Sequence, residues 1–159
     1  MNKLPEAGIL KVIGLLEVLH DRGGEDDTVQ IVDELHMDVE SLLPVTEAAE
    51  LLGFITISGG KIKLTEFGNK IVKAGITERK RIVKDRLLTL DIFRKAIALV
   101  EAKKARRVSK KVLVKAIRAE LIREHADKTV ARIIDWGRHA GLLGYDSDSD
   151  ELYLIKAAA

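Results

Sequence analysis

The chain has 159 residues, of which 47% are hydrophobic and 33% charged, a composition typical of folded globular proteins and unlike that of disordered ones. It contains no cysteine, which excludes disulfides and thiolate-ligated metals. Its longest apolar run, residues 8–19, includes Lys11 and Glu17 and is shorter than the roughly 20 residues that span a bilayer. The chain starts without a signal-peptide pattern, so we expect a cytoplasmic protein with no membrane insertion.

The net charge of +2 conceals an uneven distribution of charge along the chain. Residues 1–68 hold 5 basic and 13 acidic side chains, residues 69–123 hold 18 and 5, and residues 124–159 hold 4 and 7. An acidic first part and a basic middle indicate either an anionic partner or attraction between lobes, or between two copies in a homodimer.

Three helices are predicted in the first third of the chain. Apolar residues recur at helical spacing over residues 5–21, and Gly23-Gly24 is a suitable end because glycine accepts the left-handed conformation of a helix C-terminus. Asp27 is expected to cap a short second helix, and Asp38 a third one that runs to about residue 52. Pro44 predicts a kink or a late start in that third helix.

After Gly53 the apolar pattern switches from helical spacing to alternation. Residues 54–57 and 61–64 alternate around Ser58-Gly59-Gly60, which predicts a β-hairpin, and a further helix is expected from Thr65. Three helices followed by a hairpin is the order of a winged helix.

The second half of the chain repeats this order. Helices are predicted over residues 79–88, 91–103, 109–123 and 127–140, with Ser109 and Asp127 as caps, and a hairpin over residues 144–155. The stretch Ala49–Phe54 matches Ala140–Tyr145, each with Leu-Leu-Gly before an aromatic residue. We therefore predict a mostly α protein with two small β-hairpins (α+β), a tandem winged helix with lobes 1–76 and 77–159.

Several stretches resemble the AAA-associated C-terminal domain family. They are Leu4-Pro5-x-Ala7, Gly14–Leu19, Gly23-Gly24, Leu42-Leu43-Pro44, Ala48–Phe54, Leu64-Thr65-x-x-Gly68, Arg79-Lys80, Ile134–Arg138 and Tyr145-Asp146. His139 and Gly141 stand where the family pattern has Tyr and Glu. This family occurs behind the ATPase subunits of nitrate, sulfonate and taurine ABC importers, and as free-standing archaeal proteins. The resemblance implies a partner or regulatory module of a transport ATPase, here in the free-standing form.

No pattern for catalysis or for metal binding is found in the sequence. It lacks the Gly-x4-Gly-Lys-Ser/Thr loop of ATPases, so we expect any ATPase partner to be a separate polypeptide, and it lacks a Gly-x-Ser-x-Gly elbow. Its four histidines are not spaced as a helical metal pair. The acidic run at residues 146–150 lacks the glycine and the final glutamate of a calcium loop. We expect no enzymatic activity, no cofactor and no metal.

Two groups of residues are candidates for contact with a protein partner. The third helix carries Glu40, Glu47 and Glu50 and no basic residue, which disfavours contact with DNA phosphates and favours docking of a protein. In the last helix, Asp135 and Arg138 are three residues apart and are expected to pair on one face. Trp136 between them is either a core aromatic residue or part of the same docking surface.

A third group is strongly basic and surrounds a predicted loop: Lys103, Lys104, Arg106, Arg107, Lys110 and Lys111. Such a run is compatible with a solvated face, with docking to an acidic protein surface, or with nonspecific nucleic-acid binding. Our leading hypothesis is a non-enzymatic interaction module for an ABC-type ATPase or transporter component. The alternative is a winged-helix transcription regulator or nucleic-acid-binding protein that uses residues 103–111 and the second lobe.

Overall fold

The structure, a computed structural model, describes residues 4–120 and 125–155. Its elements are α1 (Ile9–Asp21), β1 (Glu25–Asp27), α2 (Thr28–Leu35), α3 (Val39–Leu51), β2 (Ile55–Ser58), β3 (Lys61–Leu64), α4 (Glu66–Lys73), α5 (Ile76–Leu87), α6 (Asp91–Glu101), β4 (Arg107–Ser109), α7 (Lys110–Glu120), α8 (Ala126–His139), β5 (Leu143–Asp146) and β6 (Glu151–Leu154). This mostly helical chain with two small sheets confirms the predicted α+β class.

The chain divides into two compact units between Ile82 and Val83, within α5. We call residues 5–82 the first unit and the described residues from 83 onward the second unit. Each unit contains one three-stranded antiparallel sheet, with strand order β1-β3-β2 in the first and β4-β6-β5 in the second. In both units a helix, a strand, two helices and a hairpin follow one another. The winged-helix class and the duplication stay predictions that agree with this order.

The strands β1 and β4 were not predicted from the sequence. Each is three residues long, which is too short to show alternation, and β1 consists of Glu25-Asp26-Asp27. The strand pairs with the hairpin through Asp26 opposite Ile62, and Arg22 forms an ion pair with Asp26. Asp27 does stand at the cap position of α2, but its side chain accepts no capping hydrogen bond, so that part of the prediction is wrong.

Two of the predicted helix ends are confirmed, the start of α3 at Asp38 and the end of α1 at Gly24. The Asp38 carboxylate accepts a hydrogen bond from the Ser41 backbone N–H at 2.7 Å, and α3 continues without a break through Pro44. At the end of α1, the Gly24 N–H donates to the Leu19 carbonyl at 2.8 Å. The cap position of α8 belongs to His125, so the predicted role of Asp127 as its cap is wrong.

The two hairpins correspond through Gly53 and Gly141, not through Gly53 and Gly144 as the repeated Leu-Leu-Gly suggests. Gly53 and Gly141 each follow the last turn of a helix, with φ of 82° and 68°. The first hairpin strand begins two residues later in each unit, at Ile55 and at Leu143. Gly144 instead lies inside β5, so the match at that residue was out of register.

The core of the first unit forms around α1, which packs against α3 and α4. Six apolar residues of α1 are buried: Ile9, Val12, Ile13, Leu15, Leu16 and Leu19. Because their spacing keeps them on adjoining sides of the helix, α1 can bury apolar surface against several neighbours at once.

The Leu64-Thr65-x-x-Gly68 stretch ties α4 to the start of the hairpin. The Thr65 hydroxyl donates to the Gly53 carbonyl at 2.6 Å and accepts from the Gly68 N–H at 3.2 Å, and the Thr65 N–H donates to the Phe54 carbonyl at 3.0 Å. A Cβ atom at Gly68 would lie 2.2 Å from the Phe54 carbonyl oxygen, so only glycine allows this approach. The motif therefore has a structural role.

Arg79 likewise stabilises the first unit. Its guanidinium donates to the Ile71 carbonyl at 2.9 Å and to the Val72 carbonyl at 3.0 Å, in the last turn of α4. It also pairs with Glu17 of α1 at 3.4 Å. Helix C-termini leave carbonyls without intrahelical partners, and a cation there also interacts favourably with the helix dipole. This arginine therefore belongs to the fold and not to a basic surface.

Candidate interaction surfaces

One side of α3 forms what we call the acidic face, made of Glu40, Leu43, Glu47 and Glu50. All four side chains are exposed, and Leu43 is 54% exposed in spite of being apolar. Their spacing of three and four residues places them in one row along the helix. Among the described residues, no Lys or Arg forms an ion pair with these three carboxylates. The face therefore offers unpaired negative charge beside apolar surface.

The opposite side of α3 fixes the orientation of this face. Leu42, Val45, Ala48 and Ala49 are buried, and the Thr46 hydroxyl donates to the Leu43 carbonyl at 2.9 Å. The buried residues alternate with the acidic ones at helical spacing, so packing of one side exposes the other.

The three candidate residues of α8 are one buried and two exposed side chains. Trp136 is fully buried and stacks on Phe93, with ring centroids 6.4 Å apart and planes 5° from parallel. It is therefore a core residue of the second unit and not a surface contact. Asp135 and Arg138 are exposed, but the ion pair of Asp135 is with Arg132 at 3.8 Å and not with Arg138.

Gly137, next to Trp136, also has a role in the packing of the second unit. A Cβ atom there would lie 2.9 Å from Cδ1 and 3.0 Å from Cβ of Leu143, so α8 and β5 approach closely at this point. Within the Ile134–Arg138 stretch of the family resemblance, the Trp136-Gly137 pair therefore has a role in packing.

The basic residues 103–111 do not form one surface. Lys103, Lys104 and Arg106 are exposed between α6 and β4. Arg107 lies in β4, where it pairs with Asp146 at 2.8 Å and with Glu151 at 3.2 Å and stands 5.0 Å over the Tyr153 ring. Arg107 is thus held by the second hairpin, which disfavours it as an anion contact. Lys110 and Lys111 belong to the first turn of α7.

The second hairpin turn is held by the Asp146 carboxylate. It accepts backbone hydrogen bonds from Asp148 at 3.0 Å and Ser149 at 3.4 Å. These N–H donors, with further contributions from the Ser149 side chain and Arg107, lower the pKa of Asp146 below its ordinary value of 3.8.

We expect acid to weaken the second unit through Asp146. A folded-state pKa below the unfolded value means that the ionised carboxylate stabilises the fold above pH 3.8, and this contribution is lost as the pH falls through the lower folded pKa. Urea unfolding followed by the fluorescence of Trp136, the single tryptophan, measures this loss. Asp146→Asn should flatten the pH profile below pH 3.8. Asp148→Asn, in the same turn, should keep the wild-type profile; equal profiles for both variants would contradict this role.

A groove of about 480 Å³ in the second unit was not predicted from the sequence. Its lining residues are Lys110, Lys111, Val114, Lys115, Arg118, Asp127 and Asp150. A signal for it is present in the sequence, since residues 111, 115 and 118 are basic at helical spacing, next to the denser basic run that precedes them.

In residues 4–120 and 125–155, no group of three or more His, Asp or Glu side chains is arranged to hold a metal ion. None of the helices described there combines the length and the apolar composition that crossing a bilayer requires.

Comparison with known proteins identifies the family. The family model of the C-terminal AAA-associated domain matches residues 29–146, which is well over half of the chain. No curated protein and no solved structure matches it. The match includes α3, the second unit's basic helix α7 and the Trp136-Gly137 pair. The chain therefore belongs to the C-terminal AAA-associated domain family.

Proposed function

We propose that this chain is a non-enzymatic docking module for an ABC-type transport ATPase or its membrane partner, and that it binds through the acidic face of α3. Membership of the C-terminal AAA-associated domain family supports association with an ATPase. The observation that carries the proposal is the row of Glu40, Glu47 and Glu50, exposed and without cationic partners among the described residues. A partner with lysine or arginine side chains at matching positions would complete these ion pairs.

The apolar residues beside the carboxylates would supply much of the affinity. Val39 is 60% exposed and Leu43 54% exposed, and both lie on α3. Burial of apolar surface contributes roughly 25 cal/mol per Å², whereas an exposed ion pair contributes about 0.2–1 kcal/mol. The carboxylates would mainly orient the partner and select against anionic surfaces such as nucleic acid. The module would act in the cytoplasm, where its ATPase hydrolyses nucleotide.

The proposal is tested by reversing charges on the acidic face. Glu47→Lys/Glu50→Lys should weaken binding to the purified ATPase subunit by at least about tenfold, because two attractions become repulsions. Asp21→Lys/Glu66→Lys, which changes net charge equally within the first unit, is the matched control and should bind within about twofold of wild type. Affinity is measured by calorimetry, with circular dichroism to verify folding.

Two outcomes would contradict the acidic face as the contact. One is equal weakening by both double variants, which would indicate a general charge effect. The other is wild-type affinity in Glu47→Lys/Glu50→Lys. If wild type itself shows no binding to any transport ATPase of its cell, the proposed partner class is wrong.

Nucleic-acid binding remains the second candidate function, and the exposed Lys103, Lys104 and Arg106 favour it. Reversal of Arg107 would not test it, because that arginine holds the second hairpin together. The duplex titration described below tests it with Lys103→Gln/Lys104→Gln instead.

A further inference from the structure

The groove in the second unit is lined mainly by one face of α7. Lys110, Lys111, Lys115 and Arg118 stand on it at helical spacing, with Val114 among them. Over eight residue steps at 1.5 Å each, this row extends for about 12 Å. Such a concentration of positive charge on a concave surface attracts an anion of comparable length.

The lysines of this row are available to a ligand. Among the described residues, no carboxylate lies within 4.0 Å of the ammonium groups of Lys110, Lys111 or Lys115, and Arg118 reaches Asp127 only at 3.9 Å. Like charges three or four residues apart on a helix repel one another. A bound anion would relieve this repulsion. A solvated face of mixed charge has no such repulsion to relieve.

An aspartate lies beside each end of the row, Asp150 at Lys110 and Asp127 at Arg118. At the first end, the Lys110 N–H donates to the Asp150 carbonyl at 2.9 Å, and the Asp150 carboxylate accepts the Tyr145 hydroxyl hydrogen bond. At the other end, Asp127 stands beside Arg118. Along α7 the cations of the row therefore lie between Asp150 and Asp127.

These two aspartates favour a compact anion over a polymer. A nucleic-acid strand that continued past Lys110 would meet Asp150 together with Asp146 and Asp148 of the same turn, and such contacts repel phosphates. The volume of about 480 Å³ lies within the range of small-molecule sites. We propose that the α7 groove binds a compact ligand with two or more linked phosphate groups.

This inference goes beyond the proposed docking function and is tested independently of it, on wild-type protein and on variants of the second unit. The probes are sodium tripolyphosphate and ATP without metal, titrated by calorimetry at low ionic strength. Wild type should bind one equivalent of each. Lys111→Gln/Lys115→Gln should weaken both by at least about tenfold, since two charge-assisted contacts are lost. Both side chains are exposed, so the fold should be unaffected.

The matched control is Lys73→Gln/Lys80→Gln, which removes two exposed cations from the first unit and should leave both affinities within about twofold. Equal affinities for the two probes identify the phosphate chain as the ligand, and tighter binding of ATP identifies a nucleotide. Either result supports the proposal, provided that the control holds. Absence of binding, or equal weakening by both double variants, would overturn it.

A titration with duplex DNA tests whether the second unit binds the phosphates of a nucleic acid instead of a compact ligand. Duplex binding without tripolyphosphate binding would overturn the compact-ligand proposal. If Lys103→Gln/Lys104→Gln then weakens duplex binding and reduces its salt dependence, the nucleic-acid function is favoured instead. None of these outcomes depends on whether the acidic face binds an ATPase, because the docking test changes only first-unit residues.

Discussion

Gly68→Ala should destabilise the first unit by about 3 kcal/mol, a large effect for the addition of one methyl group. The new Cβ atom would stand 2.2 Å from the Phe54 carbonyl oxygen and 3.0 Å from Cδ2 of Leu64. The carbonyl is backbone and already accepts the Thr65 N–H, so it cannot turn aside without loss of that hydrogen bond. To remove the clash between the Cβ atom and this carbonyl oxygen, α4 must move away from the hairpin. That movement disrupts the packing of α4 on α1.

Gly14→Ala is the matched control for this prediction. Gly14 lies within α1, has no atom within 4 Å of a built Cβ, and belongs to the same unit. Because alanine favours helix over glycine, this change should stabilise the protein by about 0.4–1 kcal/mol. Urea unfolding followed by far-UV circular dichroism measures both variants. Shifts of the same sign in Gly68→Ala and Gly14→Ala would contradict the close approach at Gly68.

Trp136→Ala should cost the second unit about 3–5 kcal/mol, because it leaves a cavity where the largest core side chain packs on Phe93. A side chain on a docking surface would instead cost little stability when truncated. Chemical unfolding followed by circular dichroism distinguishes the two, since removal of the single tryptophan abolishes its fluorescence.

Trp136→Phe provides the graded comparison. It keeps an aromatic ring against Phe93 and removes less volume, so its cost should be well below that of Trp136→Ala. A loss under about 1 kcal/mol in Trp136→Ala would contradict the core assignment and restore Trp136 as a candidate contact.

The helices and hairpins were predictable because their signals are local. The periodic apolar residues of α1 and the alternation in β3 each follow from the geometry of one element. The strands β1 and β4 were not predictable in this way, because three residues show no period and their pairing depends on a distant hairpin. The same limit explains the out-of-register match at Gly144, where local similarity carried no information about where each helix ends.

The same distinction between local signals and distant contacts applies to the candidate interaction surfaces. The acidic face could be predicted, since Glu40, Glu47 and Glu50 share a helix whose buried side is evident from the sequence. Arg107 could not be separated from its basic neighbours, because its partners Asp146 and Glu151 lie about 40 residues further on. Burial of Trp136 depends in the same way on Phe93, which belongs to another helix.

The structural roles of Thr65, Gly68, Arg79 and the Trp136-Gly137 pair have a consequence for comparing members of this family. These five residues hold helices and hairpins together, and they are buried or engaged with the backbone. Relatives can therefore keep these positions while their partners differ. We expect the determinants of partner choice on the outer sides of α3 and α7, where substitution leaves the scaffold intact.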